Sequence, residues 1–198
     1  MDDVPKSLGI LWILAYLVIH FLWQFVPLNF FILRVFFLAA VAGYLIFKGV
    51  GKDVLIYFFG PNKDPKSLLS TFLVFIIPLL ILRVISRGYF SGIIEPSFVN
   101  ILNEAIIPPV NEEIVFRALF LSILIVQFKG KAFFPIVLST FIFVIIHNGI
   151  GVPGIINLSV SGALYGLAYL RSGSVFVPIV LHMIWNGLSF LPPLFQFS

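Results

Sequence analysis

Six polar residues stand inside or beside long apolar stretches of the sequence, where ionisable side chains are rare. They are Glu112, Glu113, Arg117, His147, His182 and Asn186. An ionisable group in hydrocarbon costs roughly 2.5–3.5 kcal/mol on insertion scales, so chains keep one where a partner or a function offsets that cost. Because the six residues lie on three separate stretches, we predict that these stretches converge and make the polar groups each other's partners.

The spacing of the first three residues divides them into two roles. Glu113 and Arg117 are four positions apart, so on a helix their side chains share a face and can pair. Glu112 points about 100° away from Glu113, because an α-helix has about 3.6 residues per turn. Arginine therefore holds one carboxylate and leaves the other free to face a polar cavity. Taken alone, this motif is equally well explained as a structural ion pair between helices.

The two histidines and the asparagine complete a set that can hydrolyse an amide bond. A carboxylate beside an imidazole can remove a proton from water. A second imidazole and an amide group can donate hydrogen bonds to a developing oxyanion. The chemistry needs no thiol, and the chain has no cysteine. Each element alone has a simpler interpretation, with His147 as an interfacial residue and His182 and Asn186 as a hydrogen-bonded link between helices.

The elements that must position these residues are membrane helices. The chain has 198 residues, of which 61% are hydrophobic and only 10% charged, whereas soluble domains have about 25% charged residues. A water-soluble fold is therefore excluded, and we predict an all-α, polytopic transmembrane helical bundle. We expect one integral membrane domain over residues 1–198, with its motif-bearing core at about 105–190. The net charge of +4 is explained by an excess of basic residues in the loops on one side of the membrane, more than by nucleic-acid binding.

Seven stretches are long enough to cross, or nearly cross, a bilayer. They are Leu8–Val26, Leu28–Phe47, Ser67–Ile85, Ile107–Phe128, Phe133–Gly149, Gly154–Leu170 and Val175–Phe195. The amphipathic segment Gly88–Asn103 is expected along the surface, and its insertion would give eight spans. Pro108 and Pro109 are expected to begin the fourth span. The distribution of basic residues places the N-terminus in the cytoplasm and Glu112 nearer the outer face.

Three motifs carry a resemblance to a known family. Glu112-Glu113-x-x-x-Arg117, Phe143-x-x-x-His147 and His182-x-x-x-Asn186 resemble the motifs of the CPBP family. This family comprises the CAAX prenyl endopeptidases and the bacteriocin-processing or Abi-type membrane proteins. The resemblance covers the chain from about Pro108 to Asn186, and it includes the span, turn and span that lead to the last motif.

The resemblance implies a multi-pass cell-membrane protease that hydrolyses a peptide bond of a membrane-associated, prenylated CAAX-type substrate. By this resemblance, Glu112 and His147 activate water and His182 and Asn186 stabilise the oxyanion, while Glu113, Arg117 and Phe143 support the site. Two histidines and a glutamate could bind zinc, but the sequence has no His-Glu-x-x-His pair, so a site without metal or other cofactor is favoured. The expected partners are membrane lipid and a lipidated or membrane-bound peptide, with no nucleic acid.

Other interpretations of the same residues stay open. A catalytically silent membrane scaffold, or a bacteriocin-immunity protein, could use the same fold to bind a partner. A proton-coupled transporter is less favoured, because the sequence has no broken-helix repeat. The resemblance also implies a site open to the cytoplasm, whereas the basic residues place Glu112 nearer the outer face. A miscounted span, insertion of Gly88–Asn103, or action from the other side would each reconcile the two.

Overall fold

The described part of the chain is entirely helical in its regular secondary structure. The computed structural model describes residues 64–86, 95–129, 131–147 and 150–191. The predicted all-α class is confirmed for these residues. The predicted spans Leu8–Val26 and Leu28–Phe47 lie outside them, so the count of seven spans stays a prediction.

The described residues form five helices, which we label α1 to α5 in chain order. Their bounds are Pro65–Ser86 for α1, residues 98–127 for α2, Phe133–Ile145 for α3, Gly151–Ser172 for α4 and Phe176–Gly187 for α5, with a 3₁₀ turn at Leu188–Phe190 after α5. Helix α2 alternates α-helical with π-helical segments, which are Phe98–Asn100 (α), Ile101–Ile106 (π), Ile107–Glu113 (α), Ile114–Leu121 (π) and Ser122–Gln127 (α).

Helices α1 and α4 have the length and composition of membrane spans. Each has 22 residues and is apolar enough to cross a bilayer, and within the described ranges these two helices meet that test. Large apolar side chains of α1 point away from the bundle, among them Ile77 and Ile85, which are 60% and 69% exposed. Such a surface suits contact with lipid tails. Helices α3 and α5 are shorter but also apolar.

Helix α2 begins earlier than the sequence predicts. It starts at Phe98, after Ser97, whose hydroxyl accepts a hydrogen bond from the backbone N–H of Asn100. An α-helical segment does begin at the predicted Ile107, but the residues before it are also helical, so the continuous helix is longer than predicted. Residues 98–103, which we expected in a separate surface segment, form the first turns of the same helix.

The two prolines explain this difference. Pro108 and Pro109 do stand at the start of an α-helical segment, but the preceding residues are already helical in the wider π form. In that form the N–H of Ile107 bonds to the carbonyl of Leu102, five residues earlier. The change of hydrogen-bond spacing lets the helix continue up to prolines, which have no N–H to donate.

Helix α4 is the centre of the packing. It contacts α1, α3 and α5 along its length and touches the second π-helical segment of α2. Three clusters of buried apolar residues fill the contacts, one between α1, α4 and α5, one between α2, α4 and α5, and one between α2 and α3. Helix α4 is followed by Gly173, which has a φ of 63° and caps the helix in the left-handed conformation.

Gly162 allows α3 and α4 to approach closely. A Cβ atom at this position would lie 3.2 Å from Cδ1 of Phe143 and 3.2 Å from Cγ2 of Thr140. At Gly166, one turn later, a Cβ atom would lie at the ordinary distance of 3.6 Å from Ile136. Small residues at such crossings let membrane helices pack at short range.

Alanine at these two glycines should have opposite effects on stability. Gly166→Ala should raise the free energy of unfolding by up to about 1 kcal/mol, because alanine has the higher helix propensity. Gly162→Ala should lower it by about 1–3 kcal/mol, because the methyl group overpacks the contact with α3. Thermal or denaturant unfolding in detergent measures both variants. Equal stability of the two variants would contradict the close approach at Gly162.

Candidate active site

A buried ion pair lies at the centre of the described bundle. Glu113 and Arg117 of α2 are 0% and 1% exposed, and Oε2 of Glu113 lies 3.2 Å from Nε of Arg117. The two atoms are close enough for an ion pair, but they are not aligned as a hydrogen bond. The pairing of these residues predicted from their spacing is therefore present, and it places both charges deep inside the helices.

Arg117 is enclosed by groups from α3 and α4. Its Nη2 atom donates a hydrogen bond of 2.9 Å to the backbone carbonyl of Gly162. Its guanidinium carbon lies 4.9 Å from the ring centre of Phe143 and 5.6 Å from that of Tyr165. Aromatic faces attract cations, so the two rings and the carbonyl take the place of water around this charge.

His182 of α5 connects to the same ion pair. Its Nδ1 atom lies 2.8 Å from Oε1 of Glu113. Its ring stacks on Tyr165 at 4.7 Å, with an interplanar angle of 18°, and meets the ring of Phe143 edge-on at 6.2 Å. An ionised carboxylate can only accept hydrogen bonds, so Nδ1 is the donor when Glu113 is charged. The imidazole is thus fixed in both position and orientation.

His147, just after the end of α3, is held by its own helix. Its Nδ1 atom lies 2.7 Å from the backbone carbonyl oxygen of Phe143. A carbonyl oxygen only accepts, so Nδ1 carries the proton in this contact. The Nε2 atom of the neutral ring is then the unprotonated nitrogen. The four-residue spacing of Phe143 and His147 therefore determines the tautomer as well as the direction of the ring.

Glu112 faces both histidines. Its Oε1 lies 3.8 Å from Nε2 of His147, and its Oε2 lies 3.8 Å from Nε2 of His182. These distances are too long for direct hydrogen bonds and are the separations that one water molecule bridges. The side chains of Glu112 and His147 are 19% and 29% exposed, so this end of the site is reachable, whereas Glu113 is sealed from its surroundings.

Asn186 lies one turn after His182 on α5 and has a partner that the sequence did not indicate. Its Nδ2 atom donates a hydrogen bond of 2.9 Å to the backbone carbonyl of Glu104, in the first π-helical segment of α2. The structure therefore brings the six singled-out residues into one region, but the described contact of Asn186 is to the main chain of α2.

Three further groups of the site were not predicted from the sequence. Tyr165 is 1% exposed and its ring supports both Arg117 and His182. Gly162 supplies the carbonyl that binds Arg117. Both lie in the stretch before the last motif, and a tyrosine and glycine among apolar residues were the available signal. The third group is the backbone carbonyl of Glu104. The available signal was Pro108 and Pro109, which have no N–H to donate to it.

A metal ion would need several donor side chains gathered around one point. Within the described ranges, no group of three or more His, Asp and Glu side chains is arranged to hold one. In the described contacts, Nδ1 of His182 binds Glu113 and Nδ1 of His147 binds a carbonyl. Glu112 lies 3.8 Å from the Nε2 atom of each histidine.

Comparison with known proteins gives one match. The model of the family described as Type II CAAX prenyl endopeptidase Rce1-like matches residues 94–188 of the 198. No curated protein and no solved structure matches the chain. The matched range includes all three motifs, so the resemblance predicted from them is confirmed. The match covers just under half of the chain, and the family that it points to is a membrane-embedded protease family.

Proposed function

We propose that the protein is an intramembrane endopeptidase that hydrolyses a peptide bond of a membrane-associated, prenylated CAAX-type substrate. The observation that carries this proposal is the position of Glu112, whose two carboxylate oxygens each face the Nε2 atom of a different histidine at 3.8 Å. The family description supports the type of reaction and the class of substrate. The proposed reaction uses no metal ion.

In the proposed mechanism, Glu112 and His147 activate the attacking water. A water molecule about 2.8 Å from both groups fits their separation and can donate one hydrogen to each. Both groups accept, because the carboxylate has no proton and Nε2 of His147 carries the lone pair. One of them takes the proton as the water oxygen attacks the scissile carbonyl carbon. The proton then passes to the leaving nitrogen, and the peptide bond yields a carboxylate and an amine.

His182 and Asn186 would stabilise the oxyanion of the tetrahedral intermediate. Nδ1 of His182 donates a hydrogen bond to Glu113. Its Nε2 can therefore donate a second hydrogen bond, to the oxyanion, when the ring is doubly protonated. Asn186 has a second N–H beyond the one that binds Glu104.

A catalytically silent scaffold of the same fold explains the site less well. Binding a partner needs an exposed surface, whereas the Nδ1 atoms of His147 and His182 are engaged by a main-chain carbonyl and a buried carboxylate. A scaffold also has no need for a carboxylate aimed at two imidazole nitrogens. The arrangement is what water activation requires, and it favours the enzyme.

Glu112→Gln should abolish cleavage without unfolding the protein. The amide keeps the shape of the side chain but cannot take a proton, so we expect kcat to fall by at least about a thousandfold. The assay is cleavage of a farnesylated, internally quenched CAAX peptide by the detergent-solubilised protein.

Glu95→Gln is the matched control, because Glu95 is an exposed residue outside the site. It should retain the turnover of the unaltered chain. Unchanged turnover in Glu112→Gln would refute the assignment of the base. Absence of turnover by the unaltered chain on farnesylated and other membrane peptides would favour the scaffold.

Glu113→Gln should act on stability instead. Removal of this charge leaves Arg117 buried without its ion-pair partner, and breaking a buried pair costs about 3–5 kcal/mol. Glu112→Gln should change the free energy of unfolding by less than about 1 kcal/mol, because the Glu112 side chain is partly exposed and makes no direct hydrogen bond to another described residue. Denaturant unfolding followed by tryptophan fluorescence compares the two isosteric variants. A larger loss in Glu112→Gln than in Glu113→Gln would reverse the two proposed roles.

The lipid group should contribute to substrate use. A farnesylated CAAX peptide should be cleaved with a kcat/KM at least about tenfold above that of the same peptide without the lipid, because a buried prenyl chain supplies binding energy at a distance from the reacting bond. Matched kinetics on the two peptides in one detergent measure the ratio. Equal values would remove prenylation from the proposed substrate.

A further inference from the structure

The backbone carbonyl of Glu104 has no donor available from its own helix. In an α-helix its donor would be the N–H of residue 108, and in a π-helix the N–H of residue 109. Both residues are proline, which has no N–H. Consecutive prolines at these two positions therefore remove the donor of either helical form from the same carbonyl.

The missing hydrogen-bond donor is supplied by another helix. Nδ2 of Asn186 donates to the Glu104 carbonyl at 2.9 Å. Asn186 is four residues after His182, whose Nδ1 binds Glu113 further along α2. Helix α5 is thus tied to α2 at two points one turn apart on α5, once through a side-chain carboxylate and once through a main-chain oxygen.

This contact determines which way the amide of Asn186 is turned. A carbonyl oxygen only accepts, so the nitrogen of the amide must face Glu104 and the amide oxygen must face away. Without such a partner, the amide could rotate by a half-turn and present its oxygen where its nitrogen now lies. An oxygen aimed at a developing oxyanion would repel it, so the orientation matters for hydrolysis.

We propose that the Glu104 carbonyl, left without a helical donor by Pro108 and Pro109, is a positioning group for Asn186. It holds one N–H of the amide and leaves the second for the oxyanion of the substrate. This inference rests on the proposed function, and it adds to it a role for the two prolines: they preserve an acceptor that the helix would otherwise use itself.

The test supplies the missing donors. In Pro108→Ala/Pro109→Ala, the new N–H groups can bond to the Glu104 carbonyl within α2 and compete with Asn186. We expect kcat on the farnesylated CAAX peptide to fall by about tenfold, with KM within about twofold, because the oxyanion donor is misplaced while substrate binding is kept. In an Asn186→Ala background the same two changes should produce no further fall.

Pro78→Ala is the matched control. Pro78 lies inside α1 and also leaves a carbonyl of its helix without the usual donor, but it has no part in the proposed site. This variant should keep the kcat of the unaltered chain. An equal fall in kcat in Pro78→Ala would show that removing any helix proline impairs the enzyme, and would overturn the inference.

The inference also requires that the effect of the proline changes on kcat depends on the presence of Asn186. The proline changes could lower kcat as much in the Asn186→Ala background as in the unaltered chain, and that result would overturn the inference. Full activity of Pro108→Ala/Pro109→Ala would also overturn it. If the double variant does not yield folded protein, Pro108→Ala alone supplies the α-helical donor and is subject to the same criteria.

A second measurement separates this inference from the proposed function. Asn186→Ala should lower the midpoint of thermal unfolding in the unaltered chain, and by less when residues 108 and 109 are alanine. If the protein shows this result but cleaves no peptide, the contact between Asn186 and the Glu104 carbonyl is supported and the proposed hydrolysis is refuted. Equal shifts in both backgrounds would overturn the inference whether or not the protein is an enzyme.

Discussion

The buried pair of Glu113 and Arg117 is the constraint on which the rest of the site depends. Two charges that are sealed inside apolar helices must be surrounded by compensating groups, because desolvation is costly. The compensation comes from a different helix in each case: the Gly162 carbonyl of α4 and the Phe143 ring of α3 for Arg117, and the imidazole of His182 on α5 for Glu113. Satisfying one ion pair therefore brings four helices together and places the last motif beside the first.

Irregular geometry in α2 is the second condition. Its π-helical segments, Ile101–Ile106 and Ile114–Leu121, flank the α-helical turns that carry the glutamates. A π-helical segment changes which carbonyls are bonded and rotates the residues that follow, and such segments are frequent at functional sites. Arg117 lies inside the second segment, so its side chain still faces Glu113 but without an aligned hydrogen bond. That leaves the guanidinium free to bond across to α4.

The sequence predicted local relations better than relations between helices. The pairing of Glu113 with Arg117 and the separate direction of Glu112 follow from the helical repeat, because both are properties of one segment. The start of α2 was missed because prolines usually begin helices, and the π-helical turn that lets Phe98 and Pro108 belong to one helix has no recognised sequence pattern. The partner of Asn186 could not be read from a pattern either, since it is a main-chain atom of another helix.

The two histidines illustrate how one residue type can serve two purposes in a single site. Each ring has its Nδ1 atom engaged and its Nε2 atom turned toward Glu112. For His147 the Nδ1 partner is a backbone carbonyl, which fixes the tautomer of the neutral ring. For His182 the partner is the buried carboxylate of Glu113, which is itself paired with Arg117. In the proposed mechanism, Nε2 of His147 accepts a proton and Nε2 of His182 donates a hydrogen bond to the oxyanion. The two rings therefore differ in what lies behind them, and the ion pair that organises the helices also holds one of the two imidazoles.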